Sequence, residues 1–269
     1  MTALRFVSWN VNGIRAAVGQ GFFDWLEAEW PEVVALQEVR ARLDQFDAPR
    51  AEALGYTLAW HDAQKPGYSG VATLSRLGFE HIEVGLGEPR FDDEGRVLQT
   101  RQGGVVLLNA YFPNAQRDLA RIEYKVEFYA AMLARVNALR AAGEHVVVCG
   151  DWNTAHQNVD IENWRANQKA SGFTPRERAL VDEYLGAGFH DAFRKLYPET
   201  TKHYSWWSNR PGVRERNIGW RIDYHMVADE AWHRVVDARI RMDVKGSDHC
   251  PVELWLSPPA TPARRSTRR

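Results

Sequence analysis

The sequence predicts an α/β protein: two packed β-sheets flanked by helices, built around one core. Three observations point there. Short runs rich in Val, Leu and aromatic residues recur in both halves of the 269-residue chain, each bounded by Gly, Pro, Asn or Asp, which is how strands are punctuated. Helical periodicity interrupts these runs singly rather than in one block. No repeat and no linker divides the chain, so the strands share one packed body.

The elements follow in order. "LRFVSWN" (4–10), "VVALQE" (33–38), "YTLAW" (56–60) and "GVATLS" (70–75) read as strands, with a helix over Phe22–Glu29. "VVLLNAY" (105–111) is a further strand. From Asp118 to Ala142 the residues Ile122, Val126, Tyr129, Leu133, Val136 and Leu139 form one apolar stripe at helical spacing, and Gly143 supplies a stop. "HVVVCGD" (145–151) returns to strand. A helix over Pro175–Leu185 starts from a capping box, with Thr174 at the N-cap and Glu177 three residues on. "RIDYHMV" (221–227) and "HCPVELWL" (249–256) complete the set.

Composition is that of an ordinary globular chain, 45% hydrophobic and 26% charged. No apolar run reaches the roughly 18 residues of a membrane span. The opening "MTALRFVSWN" lacks the basic then apolar pattern of a signal peptide. Cys149 and Cys250 are too few for a disulfide framework or a zinc site, so a reduced, cytoplasmic setting is expected. Net charge is -1. The segment 257–269, "SPPATPARRSTRR", holds four arginines and no acid, leaving 30 basic against 35 acidic residues in the body. A global polyanion-attracting field is excluded, and any nucleic-acid surface has to be a local patch. The expectation is one catalytic domain over 1–256 and a disordered basic tail over 257–269. Nothing demands an oligomer, so a monomer is expected.

The polar residues at strand ends carry the chemistry. Asn10 and Asn12 close the first strand, Glu38 the second, and Asp151 and Asn153 follow "VVVCG"; Asp223 lies within a strand, and Asp248 and His249 precede one. Any one of these reads as a turn or a cap. A whole set of Asp, Asn, Glu and His is different, because a lone buried carboxylate costs roughly several kcal/mol unless it is paired or on a metal. A hard divalent ion explains the set: Mg2+ prefers oxygen and needs only one or two protein carboxylates. Glu38, Asp151 and Asp248 are the acidic candidates. Asn10 and Asn153 offer a carbonyl oxygen to a metal or an amide N–H to an anion. The candidate metal set is therefore Asn10, Glu38, Asp151, Asn153, Asp248 and His249, for Mg2+ or Mn2+. Asp151 and Asn153 share a face if the strand continues, which suits a carboxylate on an attacking water and an amide on the oxyanion. His249, oriented by Asp223, suits a phosphoryl oxygen. The reaction class is metal-assisted phosphoester hydrolysis.

The segments "WNVNGIRA", "LQEVR", "YFPNAQRD", "GDWNTAHQNVDI", "SGFTPRER", "GWRIDY" and "GSDHCP", in this order, resemble the exonuclease III family of AP endonucleases, within the endonuclease/exonuclease/phosphatase fold. The resemblance spans about residues 4–256. It implies a four-layered α/β sandwich and Mg2+-dependent cleavage of duplex DNA 5' to abasic sites. It also implies 3'-phosphatase, 3'-phosphodiesterase and some 3'-5' exonuclease activity on blocked 3' ends, in a bacterial, nucleoid-associated setting. By the same resemblance Glu38 is the main metal ligand, with Asn10 and Asp248 nearby. Asp151 serves the nucleophilic water and Asn153 the transition state, while His249, paired with Asp223, contacts the scissile phosphate. Tyr111 points its hydroxyl at that phosphate; on burial habits alone it reads as a core aromatic. Trp206, Trp220 and Ile222 resemble the apolar pocket for a flipped, base-less sugar, and Arg15, Tyr68 and Asn167 match DNA-contact positions. Two positions depart from the family pattern: Asn12 stands where some members carry Asp, and Ala170 where many carry Asn. A member specialised for 3'-end processing and a catalytically weak DNA-binding module are the competing readings. A phosphatase of inositol phosphates or sphingolipid is a more distant one.

Overall fold

The computed structural model describes residues 2–259; the part of the expected basic tail from 260 on lies outside them. The strands are β1 (Leu4–Asn10), β2 (Val33–Gln37), β3 (Thr57–His61), β4 (Val71–Ser75), β5 (His81–Val84), β6 (Val97–Gln102), β7 (Val105–Tyr111), β8 (Val146–Asp151), β9 (Phe189–Asp191), β10 (Asp223–Ala228), β11 (Val235–Ile240) and β12 (Val252–Leu256). They form two six-stranded sheets, ordered β11-β12-β1-β2-β4-β3 and β5-β6-β7-β8-β10-β9. Each is mixed: β1/β2 and β7/β8 pair in parallel, and every other pair is antiparallel.

Four layers result. Phe6, Val33, Ala35, Leu107, Val147, Cys149, Val227 and Leu254 fill the space between the sheets. Helices Ile122–Ala141 and Pro175–Gly186 cover the outer face of one sheet, against Val146, Val148, Tyr224 and Met226. Helices Ile14–Gly19 and Phe22–Glu29 cover the other, against Trp9, Val34 and Leu36. Burying both faces of each sheet is why most strands read as continuous apolar runs rather than alternating ones.

Three differences from the sequence reading have physical causes. β5, β6, β9 and β11 are not expected from the sequence; β5 is a four-residue, mostly exposed edge strand, β6 carries Gln99, Thr100, Arg101 and Gln102 in its second half, β9 has three residues, and the apolar run of the edge strand β11 is broken by Asp237 and Arg239. The long helix starts at Ile122, and its buried face is Lys125, Phe128, Tyr129, Met132 and Val136; Tyr129 and Val136 belong to the expected stripe, whose other members Ile122, Val126, Leu133 and Leu139 are half-buried beside it. A lysine opens that face, in the first turn of the helix, where Glu177 meets it (Nζ to Oε1, 2.8 Å).

Polar side chains tie the sheets together beneath the strand ends. Gln37 of β2 donates to Ser8 Oγ (3.0 Å) and to Asn109 Oδ1 of β7 (2.8 Å), and Asn109 donates to the Ala72 carbonyl of β4 (2.8 Å). These groups are fully buried, and every donor of the Gln37 and Asn109 amides has a partner, while Gln37 Oε1 has none; such a buried polar network favours one arrangement of the two sheets.

Candidate active site

Period-two alternation places the site. Along β1 the residues Phe6, Ser8 and Asn10 point between the sheets; so do Leu107, Asn109 and Tyr111 of β7, Val147, Cys149 and Asp151 of β8, and Val227, His225 and Asp223 of β10. The last residue of each series is polar, and the registers bring them to one edge. Tyr111 pairs with Asp151 across β7/β8, and Asp223 with Asp151 across β8/β10. Glu38 follows β2 with a left-handed backbone (φ 56°), so it leaves the strand as the sheet ends. An open cleft of about 940 Å3 lies over this edge.

Asp151 is the hub. Its Oδ1 accepts from the Asn153 backbone N–H (2.8 Å), its Oδ2 from Asn10 Nδ2 (2.9 Å), and His249 Nε2 lies 3.8 Å from that oxygen. His249 Nδ1 donates to Asp223 Oδ2 (2.9 Å). Burial, then the nearby Asp223 charge, pushes the Asp151 carboxyl up from the carboxylate range. Burial disfavours a charged His249, but Asp223 and Asp151 outweigh it and hold the ring as imidazolium well above its ordinary range. Burial and the charges of Glu38 and Asp151 raise the Tyr111 hydroxyl well above 10, so it is a neutral phenol. The guanidinium of the buried Arg96 lies 4.9 Å from the centre of the Tyr111 ring and acts in the opposite sense.

Of the two roles expected for Asn10 and Asn153, a carbonyl oxygen for a metal or an amide N–H for an anion, the hydrogen bonds show the amide as donor. Asn10 donates both to Glu38 Oε2 (3.0 Å) and to Asp151 Oδ2, while its Oδ1 accepts from the Asn12 N–H (2.9 Å). Asn153 donates to the Phe112 carbonyl (2.9 Å) and accepts from Asn114 (2.9 Å). Crowded carboxylates need donors, so the Asn10 amide turns its N–H groups to them, while Asn153 reaches Asp151 Oδ2 only at 3.4 Å. His249, expected in the metal set, has Nδ1 committed to Asp223. Asp151, Asp223 and His249 do bring ligand atoms within 4.8 Å of one another, but the Asp223–His249 hydrogen bond makes this an ion-pair relay first. The oxygen set that fits a hard divalent ion is Glu38 and Asp151, bridged by one amide, with Asp248 at the same cleft. Asp248 is held by Asn12 Nδ2 (2.9 Å) and by the Trp206 indole N–H (3.1 Å), so Asn12 acts as a donor to the neighbouring carboxylate.

The apolar wall assembles too. Trp206 and Trp220 meet edge to face at 6.0 Å, and Ile222 packs with them against Ile161 and Phe173. Asn167 lines the cleft, as does Ala170. Arg15 is exposed on the helix Ile14–Gly19 and does not line it. Tyr68 lies outside it as well, its hydroxyl accepting from Arg96 and Arg121 (2.9 Å each). The sequence reading missed Arg40, Arg117, Arg210 and Arg216, which line the cleft and supply a local basic patch on a chain of near-zero net charge. Arg40 and Arg117 sit inside the quoted "LQEVR" and "YFPNAQRD"; their place in the motifs was the available signal.

The Endonuclease/Exonuclease/phosphatase family matches residues 7–249. The chain belongs to that family. Among its family relatives is an exodeoxyribonuclease of Bacillus subtilis, 40% identical over 94% of this chain and the full length of the relative. An AP endonuclease from Leishmania major has a structure superposing with a TM-score of 0.86, at 32% identity over 96% of this chain and 89% of its own. A 3' phosphatase from Neisseria, bound to a product DNA hairpin, also gives 0.86, at 25% identity over 95% of this chain and all of its own. The family members share the two-sheet sandwich expected from the sequence. No helix among the described residues is long and apolar enough to cross a membrane.

Proposed function

We propose that this chain is a divalent-metal-dependent DNA-repair hydrolase, one catalytic unit over 1–256, that cuts the phosphodiester 5' to abasic sites in duplex DNA. It also removes blocking groups from 3' ends, with some 3'-5' exonuclease activity, and it acts as a cytoplasmic monomer. The observation that carries this reading is the meeting of Asp151, the Asp223–His249 pair, Tyr111 and Glu38 at one edge of the sandwich, beside the Trp206/Trp220/Ile222 wall. Mg2+, with Mn2+ as a substitute, is the ion whose chemistry the oxygen donors Glu38 and Asp151 suit, with Asp248 beside them. When bound it would neutralise phosphate charge and make a nearby water more acidic.

The residues divide the work by protonation state. The His249 imidazolium and the Tyr111 phenol are donors, so they hold non-bridging phosphate oxygens and stabilise charge that builds in the transition state. Asp151 is the carboxylate with raised proton affinity beside them, so it accepts the proton of the attacking water. The apolar wall receives a sugar without a base and keeps water from it. Asn167 and the cleft arginines hold the flanking phosphates without reading sequence; Arg15 and Tyr68 serve phosphates farther along the duplex.

The likeness to the Neisseria 3' phosphatase favours one alternative, a member given over to 3'-end processing. A labelled duplex with one tetrahydrofuran abasic analogue, beside a nicked duplex ending in 3'-phosphate, separates the two when each is incubated with Mg2+ or with EDTA. Mg2+-dependent incision 5' to the analogue supports the first reading, and loss of the 3'-phosphate alone supports the alternative. Asp151→Asn and His249→Ala should each slow cleavage by about 100-fold or more while duplex binding persists. Normal cutting by either variant would overturn the assigned roles.

A further inference from the structure

Glu38 already has a cation. Arg40 Nε donates to Glu38 Oε1 at 3.0 Å, and Arg40 Nη2 forms a second, shorter contact to the same oxygen. The other oxygen, Oε2, accepts from Asn10. Both oxygens of Glu38, the carboxylate assigned to the divalent ion under the reading above, are therefore engaged, one of them by a full positive charge.

The two partners differ in freedom. The Glu38 side chain is 14% exposed and that of Arg40 43%. The Arg40 backbone is pinned: it is left-handed (φ 50°), its N–H donates to the Ser69 carbonyl (2.8 Å), and the preceding Val39 N–H donates to Gly70 (3.0 Å). Only the side-chain torsions of Arg40 can move, and they move a half-exposed guanidinium that lines the same cleft as Tyr111 and Asp248. A dication and a guanidinium on one carboxylate oxygen repel each other, and the guanidinium is the group that can leave. Once off Glu38 it stands in the open cleft that Arg117, Arg210 and Arg216 also line, with a planar fork of donors, which matches a phosphate oxygen.

We propose that Arg40 is an exchangeable counter-ion, displaced from Glu38 by the divalent cation and taken up by a phosphodiester oxygen of the DNA. This rests on the divalent-cation reading above. Metal and DNA then favour each other, because each takes one member of an existing ion pair, and the coupling is reciprocal.

Mn2+ binding to the DNA-free protein, read as loss of the free-ion signal in electron paramagnetic resonance, tests it without any turnover. Arg40→Gln should bind Mn2+ about 5-fold more tightly than the unsubstituted protein, the size expected for removing a partly exposed pair. Arg40→Lys should fall between them, and Glu38→Gln should bind more weakly than all three. Fluorescence anisotropy of a nicked duplex with a phosphorothioate at its 3' linkage gives the second readout. Mn2+ should tighten duplex binding by the unsubstituted protein, and that gain should shrink in Arg40→Gln. Unchanged or weaker Mn2+ affinity in Arg40→Gln, with Glu38→Gln impaired, overturns the counter-ion role and leaves the metal site standing. An undiminished gain in duplex affinity overturns the transfer to phosphate. If Glu38→Gln binds Mn2+ normally, the metal reading itself fails, and the proposal with it.

Discussion

Replacing Lys125 by methionine tests how the scaffold holds the chemistry. The Lys125 ammonium donates to Glu177 Oε1 (2.8 Å) and to the Asn153 carbonyl (2.7 Å), and both charged side chains are wholly buried. Burial pulls the lysine below its usual range, and Glu177 opposes this. Methionine nearly fills the space of the aliphatic stem, so the cavity cost is small. The main cost is a buried carboxylate without its cation and a buried carbonyl without its donor. Breaking such a pair costs about 3–5 kcal/mol. Glu177 keeps donors from Gly172 N–H (2.8 Å), Thr174 N–H (3.2 Å) and Thr174 Oγ1 (2.8 Å), which places the loss near the lower end, about 3 kcal/mol. Lys125→Met combined with Glu177→Gln removes both charges and should recover a good part of it. Urea unfolding of the two single variants and the double variant measures this directly. Cleavage should fall as well, since Asn153, left-handed at φ 49°, also holds Asp151 through its backbone N–H. A loss under about 1 kcal/mol for Lys125→Met, or strict additivity in the double variant, would refute the claim that a buried ion pair anchors the catalytic strand end.

Two further outcomes follow from the same packing. His225 is buried between the sheets without a partner for Nε2, and burial depresses it to about 3 from 6.5. A folded pKa below the unfolded one means the unfolded chain binds the extra proton, so this residue removes stability as pH falls from about 6.5 toward 3. The loss at pH 5 is about 2 kcal/mol, and it should be absent from the difference between pH 7 and pH 5 unfolding curves of His225→Leu; equal slopes in the two proteins would contradict it. Gly150 has φ 141°, and a Cβ there would stand 1.8 Å from the Ala110 carbonyl oxygen in the adjoining strand. Gly150→Ala should therefore lose more than about 4 kcal/mol or fail to accumulate as folded protein, measured by thermal melting; a melting point within a few degrees of the parent would show that β7 and β8 can separate cheaply.

Much of the fold could be read directly from the chain, and the reason lies in strand burial. Where a strand is covered on both faces its sequence is a run of apolar residues, so β1, β7 and β8 were placed with their observed or nearly observed limits. The capping box at Thr174 and Glu177 was readable because it is a contact between residues three apart. Edge strands such as β5 and β11 carry a weak pattern, since one side faces solvent.

The catalytic set was visible as a list, through polar residues that interrupt apolar strands and through their motifs. Its arrangement was not. Whether Asn10 offers an oxygen or a hydrogen to the site depends on Glu38 and Asp151, which reach it from 28 and 141 residues away. The same holds for Arg40: local sequence places it two residues from Glu38, but only the fold turns both into the cleft with one able to move. Lys125 is buried only because the helix Pro175–Gly186 brings Glu177 against it, 52 residues away in the chain. The sequence by itself determined the chain's class, its strands and the chemical types gathered at their ends, because period and composition are local properties. Which atoms face which, what is buried with what charge, and so which groups donate and which accept, only the tertiary structure decided, because those are set by contacts between segments far apart in the chain.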